Sequence, residues 1–256
     1  MVLHDLGDLA GAKAAYERTL RIDEAAFGPD HLKVAIQVNN LGSVLKDLGD
    51  LIGARAAYER ALRINEAAFG PNHPRVATVV NNLGPVLQGL RDLAGAKTAY
   101  ERALHIWEEN LGENHLQVAT VVNNLGLLLK DLGNLSGAQA AFERALRIWE
   151  ATLGESHPNV AKGVNNLGDI LHNLGDLAGA KAAYERALKI AEAAFGSDHP
   201  DVANYVNNLG AVLTALGDLA GAKAAFERSL WILRHFLPER HPHIKLVEGN
   251  LRSLEE

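Results

Sequence analysis

The chain contains no cysteine and only one methionine among its 256 residues, and aromatic residues make up 5% of it. Without cysteine there can be neither disulfides nor thiolate metal sites, although this absence fixes no compartment. With so few aromatic side chains, a hydrophobic fraction of 48% must come mainly from aliphatic residues and alanine. Small residues in such numbers favour helices that lie close together.

Long hydrophobic runs and excess positive charge are also missing. No stretch of 18 apolar residues occurs, and Met1 is followed by no apolar signal segment. We therefore expect a cytoplasmic protein with neither a membrane-spanning helix nor a visible secretion signal. A net charge of −6 and a pI of about 6.0 leave no basic surface, which excludes nucleic acid and anionic membranes as partners.

What the sequence does contain is a 42-residue period without an insertion or a deletion. A fixed period of about 20 to 50 residues is typical of stacked units that cannot bury their apolar faces alone, and it predicts a solenoid. Two features show the period most clearly. Asn-Leu-Gly begins at Asn40, Asn82, Asn124, Asn166 and Asn208, and a histidine recurs at His31, His73, His115, His157, His199 and His241.

One unit is predicted to contain two helices. Apolar residues at helical spacing indicate a helix A from Lys33 to Leu48, which Gly49 ends. Asp50 is placed to cap a helix B that runs to about Phe69. Repeated Glu-Arg pairs on helix B are expected to lie on a solvated face.

The order of small and large residues in each unit resembles the tetratricopeptide repeat family: Leu41, Gly42, Leu45, Gly49, Ala54, Tyr58 and Ala61. That family's usual period is about 34 residues. The eight extra residues resemble the 42-residue variety found in kinesin light chains and in bacterial multidomain signalling proteins. The resemblance implies a bacterial source and an all-α fold, a right-handed superhelical solenoid of antiparallel helix pairs.

We expect residues 1–256 to form a single array. It would hold six B helices, the first over Asp8–Phe27, five full A helices, and an A-like capping helix over Ile244–Leu254. Because the chain begins within a helix, it is expected to be a segment of a larger protein. Pro85, in the middle of a helix A, predicts a kink, and Arg91 replaces the turn glycine of the same repeat.

Paired asparagines are the candidate site. In a right-handed stack the A helices line the concave groove, and an asparagine side chain can both donate to and accept from a peptide backbone. The resemblance implies such an asparagine ladder. Alternatively, one asparagine of each pair bonds the neighbouring helix and only stabilises the stack. The predicted peptide-binding residues are Asn39, Asn40, Asn81, Asn82, Asn123, Asn124, Asn165, Asn166, Asn207 and Asn208, together with the variable residues Lys46, Lys130 and Lys162 on the same face.

No catalytic or metal-binding pattern stands out. Successive histidines would lie about 10 Å apart, whereas Zn–N bonds are about 2 Å long, so we predict helix caps instead. The sequence has no nucleophile elbow, phosphate loop or His-Glu-x-x-His. We therefore expect no enzyme, no metal and no cofactor.

The leading hypothesis is a non-enzymatic protein–protein interaction module. It would bind a peptide or protein partner in the concave groove, as a sensing or scaffolding segment. The alternative is a structural module that self-assembles end to end. We expect a monomer in dilute solution and end-to-end contacts only at high concentration.

Overall fold

The computed structural model describes residues 8–239 and 241–254, and over these residues it contains twelve α-helices and no strand. The all-α prediction is thus confirmed. The helices alternate between the predicted B type (odd numbers) and A type (even numbers). They are α1 Leu9–Phe27, α2 Leu32–Asp47, α3 Leu51–Phe69, α4 Pro74–Gly89, α5 Leu93–Leu111, α6 Leu116–Asp131, α7 Leu135–Leu153, α8 Pro158–Asn173, α9 Leu177–Phe195, α10 Pro200–Ala215, α11 Leu219–Phe236 and α12 Pro242–Arg252.

The chain divides into two compact units, and the division falls inside α6, between Leu128 and Leu129. In the first unit α1 packs on α2, α2 on α3, α3 on α4, and α4 on α5; the A helices α2 and α4 also touch each other. In the second unit each helix from α7 to α11 likewise packs on the next. Consecutive antiparallel pairs of this kind are what the 42-residue period predicts.

Every B helix begins at a side-chain cap. Asp50 accepts a hydrogen bond from the backbone N–H of Gly53 at 2.9 Å, which satisfies a donor that the first turn leaves open. A Cβ atom at Gly53 would lie 2.5 Å from the Asp50 carboxylate, so the close approach requires glycine. The same contact recurs at Asp8, Asp92, Asn134, Asp176 and Asp218.

The periodic histidines cap the A helices, as predicted. The Nδ1 atom of His73 accepts from the N–H of Arg75 at 3.1 Å, and Pro74 occupies the first helical turn. The imidazole also stacks on Phe69, with 4.4 Å between ring centroids. Equivalent caps form at His31, His115, His157, His199 and His241.

Within each compact unit, the core brings a glycine of helix A against an aromatic ring of the following helix B. A Cβ atom at Gly84 would lie 2.3 Å from the Tyr100 ring, which explains the glycine of the Asn-Leu-Gly repeat. In the second unit Tyr184 also clusters with Val212 of the next repeat. The aromatic residue therefore links its own helix pair to the following one.

The repeat around Pro85 keeps the common length. Helix α4 runs without interruption from Pro74 to Gly89, and its 16 residues match α2, α6, α8 and α10. The kink at Pro85 stays a prediction. Arg91, at the end of that repeat's helix A, adopts the positive φ that glycine has at the equivalent turns.

Candidate functional site

The paired asparagines bond one another from repeat to repeat. The Nδ2 of Asn82 donates to the Oδ1 of Asn39 at 3.2 Å, and Asn124 donates to Asn81 at 3.1 Å. In the second unit Asn208 donates to Asn165 at 3.0 Å and Asn250 to Asn207 at 2.9 Å. The second asparagine of one A helix thus holds the first asparagine of the preceding one.

This geometry matches the alternative in which an asparagine stabilises the stack, and it also orients the remaining polar atoms. The amide nitrogen of Asn39 and the amide oxygen of Asn82 make no hydrogen bond within residues 8–239 and 241–254. Asn40 is half-buried, whereas Asn123 and Asn166 are buried and have interactions of their own. Peptide binding by these residues stays a prediction.

Two of the three predicted lysines are engaged in ion pairs. Lys46 lies 3.1 Å from Asp47, and Lys130 lies 3.0 Å from Asp169. The hydroxyl of Tyr184 donates to the other oxygen of Asp169 at 2.7 Å. Burial, and then the Asp169 charge, raise the pKa of Tyr184. In contrast, Lys162 is exposed and forms no ion pair with any residue that the structure describes.

A cleft of about 210 Å³ opens between α2 and α4, on the surface formed by the A helices of the first unit, which we call the A face. Its walls are largely apolar, Asn39 lies on one side, and the buried Asn65 of α3 also lines it. The Nδ2 of Asn65 donates to the carbonyl of Ala61 at 2.8 Å. The lining residues are Ala35, Ile36, Asn39, Asn65, Arg75, Thr78 and Val79.

The second unit has a cleft of about 350 Å³ at the same place in its repeats, between α8 and α10. Its lining residues stand three periods after five of those in the first cleft, but only the asparagine is the same. The others differ in charge or polarity. They are Lys162, Asn165, Asp201, Asn204 and Tyr205.

Beneath these clefts, the side chains at two equivalent positions differ in size from repeat to repeat. Where the first cleft has Asn65 on helix B and Val79 on the next helix A, the following repeat has the buried Trp107 and Val121. One repeat later Trp149 lies against Gly163, where a Cβ would be 3.1 Å from the indole. The next repeat exchanges the sizes, with Ala191 and Tyr205. Neither Asn65 nor Val79 is a large aromatic residue, so no ring fills the cleft beside them.

The arginines of the repeated Glu-Arg pairs remain part-exposed, as expected of a solvated face, but they also bind the preceding B helix. Arg102 binds Glu66 of the preceding B helix at 2.6 Å and the carbonyl of Pro71 at 3.0 Å. Sequence reasoning missed this contact because the partner lies 36 residues upstream. The same ion pair joins Arg60 to Glu24, Arg186 to Glu150 and Arg228 to Glu192.

Other kinds of site receive no support. Among the residues described, no group of three His, Cys, Asp or Glu side chains is placed to hold a metal ion. No helix in the described ranges is both long and apolar enough to cross a membrane.

Solved structures with similar folds exist. The crystal structure of BtubC (BKLC) from P. vanneervenii aligns with a TM-score of 0.74 and 27% identity, over 91% of this chain and 95% of that chain. Two crystal structures of a putative kinesin light chain from Podosopora anserina with nearly identical TPR-like repeats align with a TM-score of 0.66, over 80% of this chain and 95% or 98% of theirs. At 18% identity these two bear on the fold alone. No curated protein matches by sequence.

Family models agree with the repeat boundaries. A tetratricopeptide repeat model matches residues 34–104, 76–151 and 159–234, and a second one matches residues 1–32. Together these matches cover well over half of the chain. With the helix pairs, the glycine–aromatic contacts and the kinesin-light-chain-like structural neighbours, they show that the chain belongs to the tetratricopeptide repeat family.

Proposed function

We propose that this chain is a non-enzymatic interaction module that binds an extended peptide segment of a partner on the A face. Tetratricopeptide repeats are generally protein-interaction modules and are typically not enzymes. In this proposal the repeats serve as the sensing or scaffolding segment of a larger cytoplasmic protein.

One observation carries the proposal. Asn39 and Asn165 each line a cleft, and the Oδ1 of each accepts a hydrogen bond from the asparagine of the next repeat. That bond fixes the side chain and occupies its Oδ1 acceptor, whereas the Nδ2 donor remains available to a ligand. A donor fixed in advance loses little conformational freedom on binding.

The remaining atoms match a peptide group. The Nδ2 of Asn165 would donate to a backbone carbonyl, and the Oδ1 of Asn208 would accept from a backbone N–H. Such contacts depend on the backbone and not on the partner's side chains. The variable residues of each cleft would then select among partners.

The test separates binding from stacking. A peptide is selected against the intact chain from a random phage-displayed library, and its affinity is measured by fluorescence anisotropy. Asn39→Asp combined with Asn165→Asp keeps both acceptors and removes both free donors. We expect unchanged stability and a binding free energy weaker by about 1–3 kcal/mol.

Asn208→Ala removes both the donor that holds Asn165 and the acceptor proposed for the ligand, so it should weaken the stack as well as binding. It should lower the free energy of unfolding by about 1 kcal/mol. Lys189→Ala, on the exposed surface of α9, is the control and should change neither quantity. If the double aspartate variant binds the peptide as tightly as the wild type, the asparagines only stabilise the stack and the proposal fails.

A further inference from the structure

The cleft between α8 and α10 has a chemical character that its counterpart lacks. At the positions of Ile36 and Arg75 in the first unit, it has Lys162 and Asp201. Thr78 and Val79 are likewise replaced, by Asn204 and Tyr205. The second-unit cleft is therefore lined almost entirely by groups that donate or accept hydrogen bonds.

Most of these groups have no partner among the residues that the structure describes. The ammonium of Lys162, the amide of Asn204 and the hydroxyl of Tyr205 form no hydrogen bond or ion pair with any residue in the described ranges. The Asp201 carboxylate lies 3.8 Å from His199, at the edge of ion-pair distance. Elsewhere on the same face opposite charges do meet, since Lys130 lies 3.0 Å from Asp169.

Opposite charges thus line one cleft without bridging it. One lysine and one aspartate leave the lining without net charge, so an anion or a cation would be attracted by one residue and repelled by the other. A neutral group with a separate donor and acceptor can satisfy both. A carboxamide has this arrangement, with a carbonyl oxygen at one position and an NH₂ group at the other.

We propose that this cleft binds the carboxamide side chain of a glutamine or asparagine in the partner peptide. This inference rests on the proposed function and names what one cleft selects. Lys162 donates to the carbonyl oxygen and Asp201 accepts from the NH₂ group, so the Nδ2 of Asn165 remains for the peptide backbone. Burial, followed by the Asp201 charge, raises the pKa of Tyr205, so its phenol stays protonated and is a further donor at the cleft.

The experiment uses single capped amino acids as probes, so that no peptide partner is needed. N-acetyl-glutamine methylamide, the glutamate and lysine analogues, and the leucine analogue are titrated into the ¹⁵N-labelled intact chain. The side-chain amide signals of Asn165 and Asn204 are followed by NMR. We expect saturable shifts with the glutamine probe and affinities about ten-fold weaker for the other three.

The matched variant gives this cleft the residues of its first-unit counterpart. Lys162→Ile combined with Asp201→Arg should abolish the preference for glutamine, because both ends of the carboxamide lose their partners. Lys189→Ala, on the exposed surface of α9 and outside both clefts, should leave the preference unchanged. Circular dichroism checks that each variant remains helical.

Several outcomes would overturn the proposal. Tighter binding of the glutamate probe would define an anion site, and tighter binding of the lysine probe a cation site. Equal binding of the leucine probe would mean that the polar groups do not select, and absence of shifts with every probe would show no site. If the phage-selected peptide still binds through Asn39 and Asn165 while the probes fail, only the carboxamide assignment is lost.

Discussion

Arg91 holds a turn position where the corresponding turns have Gly49, Gly133, Gly175 or Gly217. Its φ of 65° lies in the left-handed region, which costs a residue with a Cβ atom about 1 kcal/mol or more. We expect Arg91→Gly to raise the free energy of unfolding by about 1 kcal/mol, measured by chemical denaturation. Gly133→Arg is the inverse control and should lower it. Space around Gly133 is open, so only backbone conformation acts there.

Tyr58 makes stability depend on pH in alkaline solution. Burial, the largest cause, raises the pKa of Tyr58 from 10.0 to about 12, and the Asp47 charge adds to the rise. Between these values the unfolded chain has lost the phenol proton while the folded chain keeps it. Its contribution to stability is therefore complete below pH 10 and is lost as the pH rises to about 12.

The measurement is a series of urea denaturations across that pH range, on the wild type and on Tyr58→Phe. Because the variant has no phenol at this position, its stability should fall less than that of the wild type between pH 10 and pH 12. Equal losses in the two proteins would contradict a raised pKa for Tyr58.

Helix caps and turns were predictable from the sequence because their partners are close along the chain. Asp50 and Gly53 are three residues apart, and His73 and Arg75 are two apart. The Asn82–Asn39 bond, in contrast, joins residues 43 apart, and its direction depends on how neighbouring A helices are offset. The period revealed that a contact must recur, but not which atoms make it.

At the scale of the helices, the packing beside Asn65 of α3 is less complete than the packing at the same place one repeat later. The cleft of about 210 Å³ beside Asn65 exceeds a cavity of about 150 Å³ that can hold benzene. Trp107 is buried one repeat later, with Ala77, Asn81, Thr120 and Val121 at the positions of Ala35, Asn39, Thr78 and Val79. We predict that Asn65→Trp fills the cleft and stabilises the fold.

The expected gain is about 1–2 kcal/mol, from the apolar area that the indole buries. Calorimetry would show it as a higher Tm, and the new indole should emit at short wavelength. The reverse change, Trp107→Asn, should cost about 3–5 kcal/mol by opening a cavity. A lower Tm for Asn65→Trp would mean that the cleft cannot admit an indole.

The clefts could not have been predicted from the repeat pattern. Periodicity identifies which positions are equivalent, and it correctly gave the alternating pairs of A and B helices. Whether a cleft is open depends instead on pairs of residues on different helices, such as Trp149 with Gly163 or Ala191 with Tyr205. Which of these pairs fill the space between neighbouring A helices is visible only in the three-dimensional structure.

For the whole molecule we expect a monomer of 27.5 kDa in dilute solution, because a net charge of −6 opposes association. Contacts between copies should appear only at high concentration. Trp231 is 50% exposed beside a cleft of about 410 Å³ lined also by Leu230 and Leu251, and it is the expected contact. Light scattering at increasing concentration should show weak association that Trp231→Ser reduces. A stable oligomer at micromolar concentration would instead support self-assembly.

The arginine contacts between B helices have a consequence for how such a chain changes length. Arg102 forms an ion pair with Glu66, which lies 36 residues earlier in the chain, and Arg228 pairs with Glu192 at the same interval. A duplication or loss of one whole 42-residue segment leaves every such interval intact, since the incoming repeat brings the same groups at the same spacing. An insertion of another size within a helix would rotate the residues that follow it off the faces that make these contacts. Duplication of whole repeats is therefore a route by which this protein can grow without a new defect at a junction.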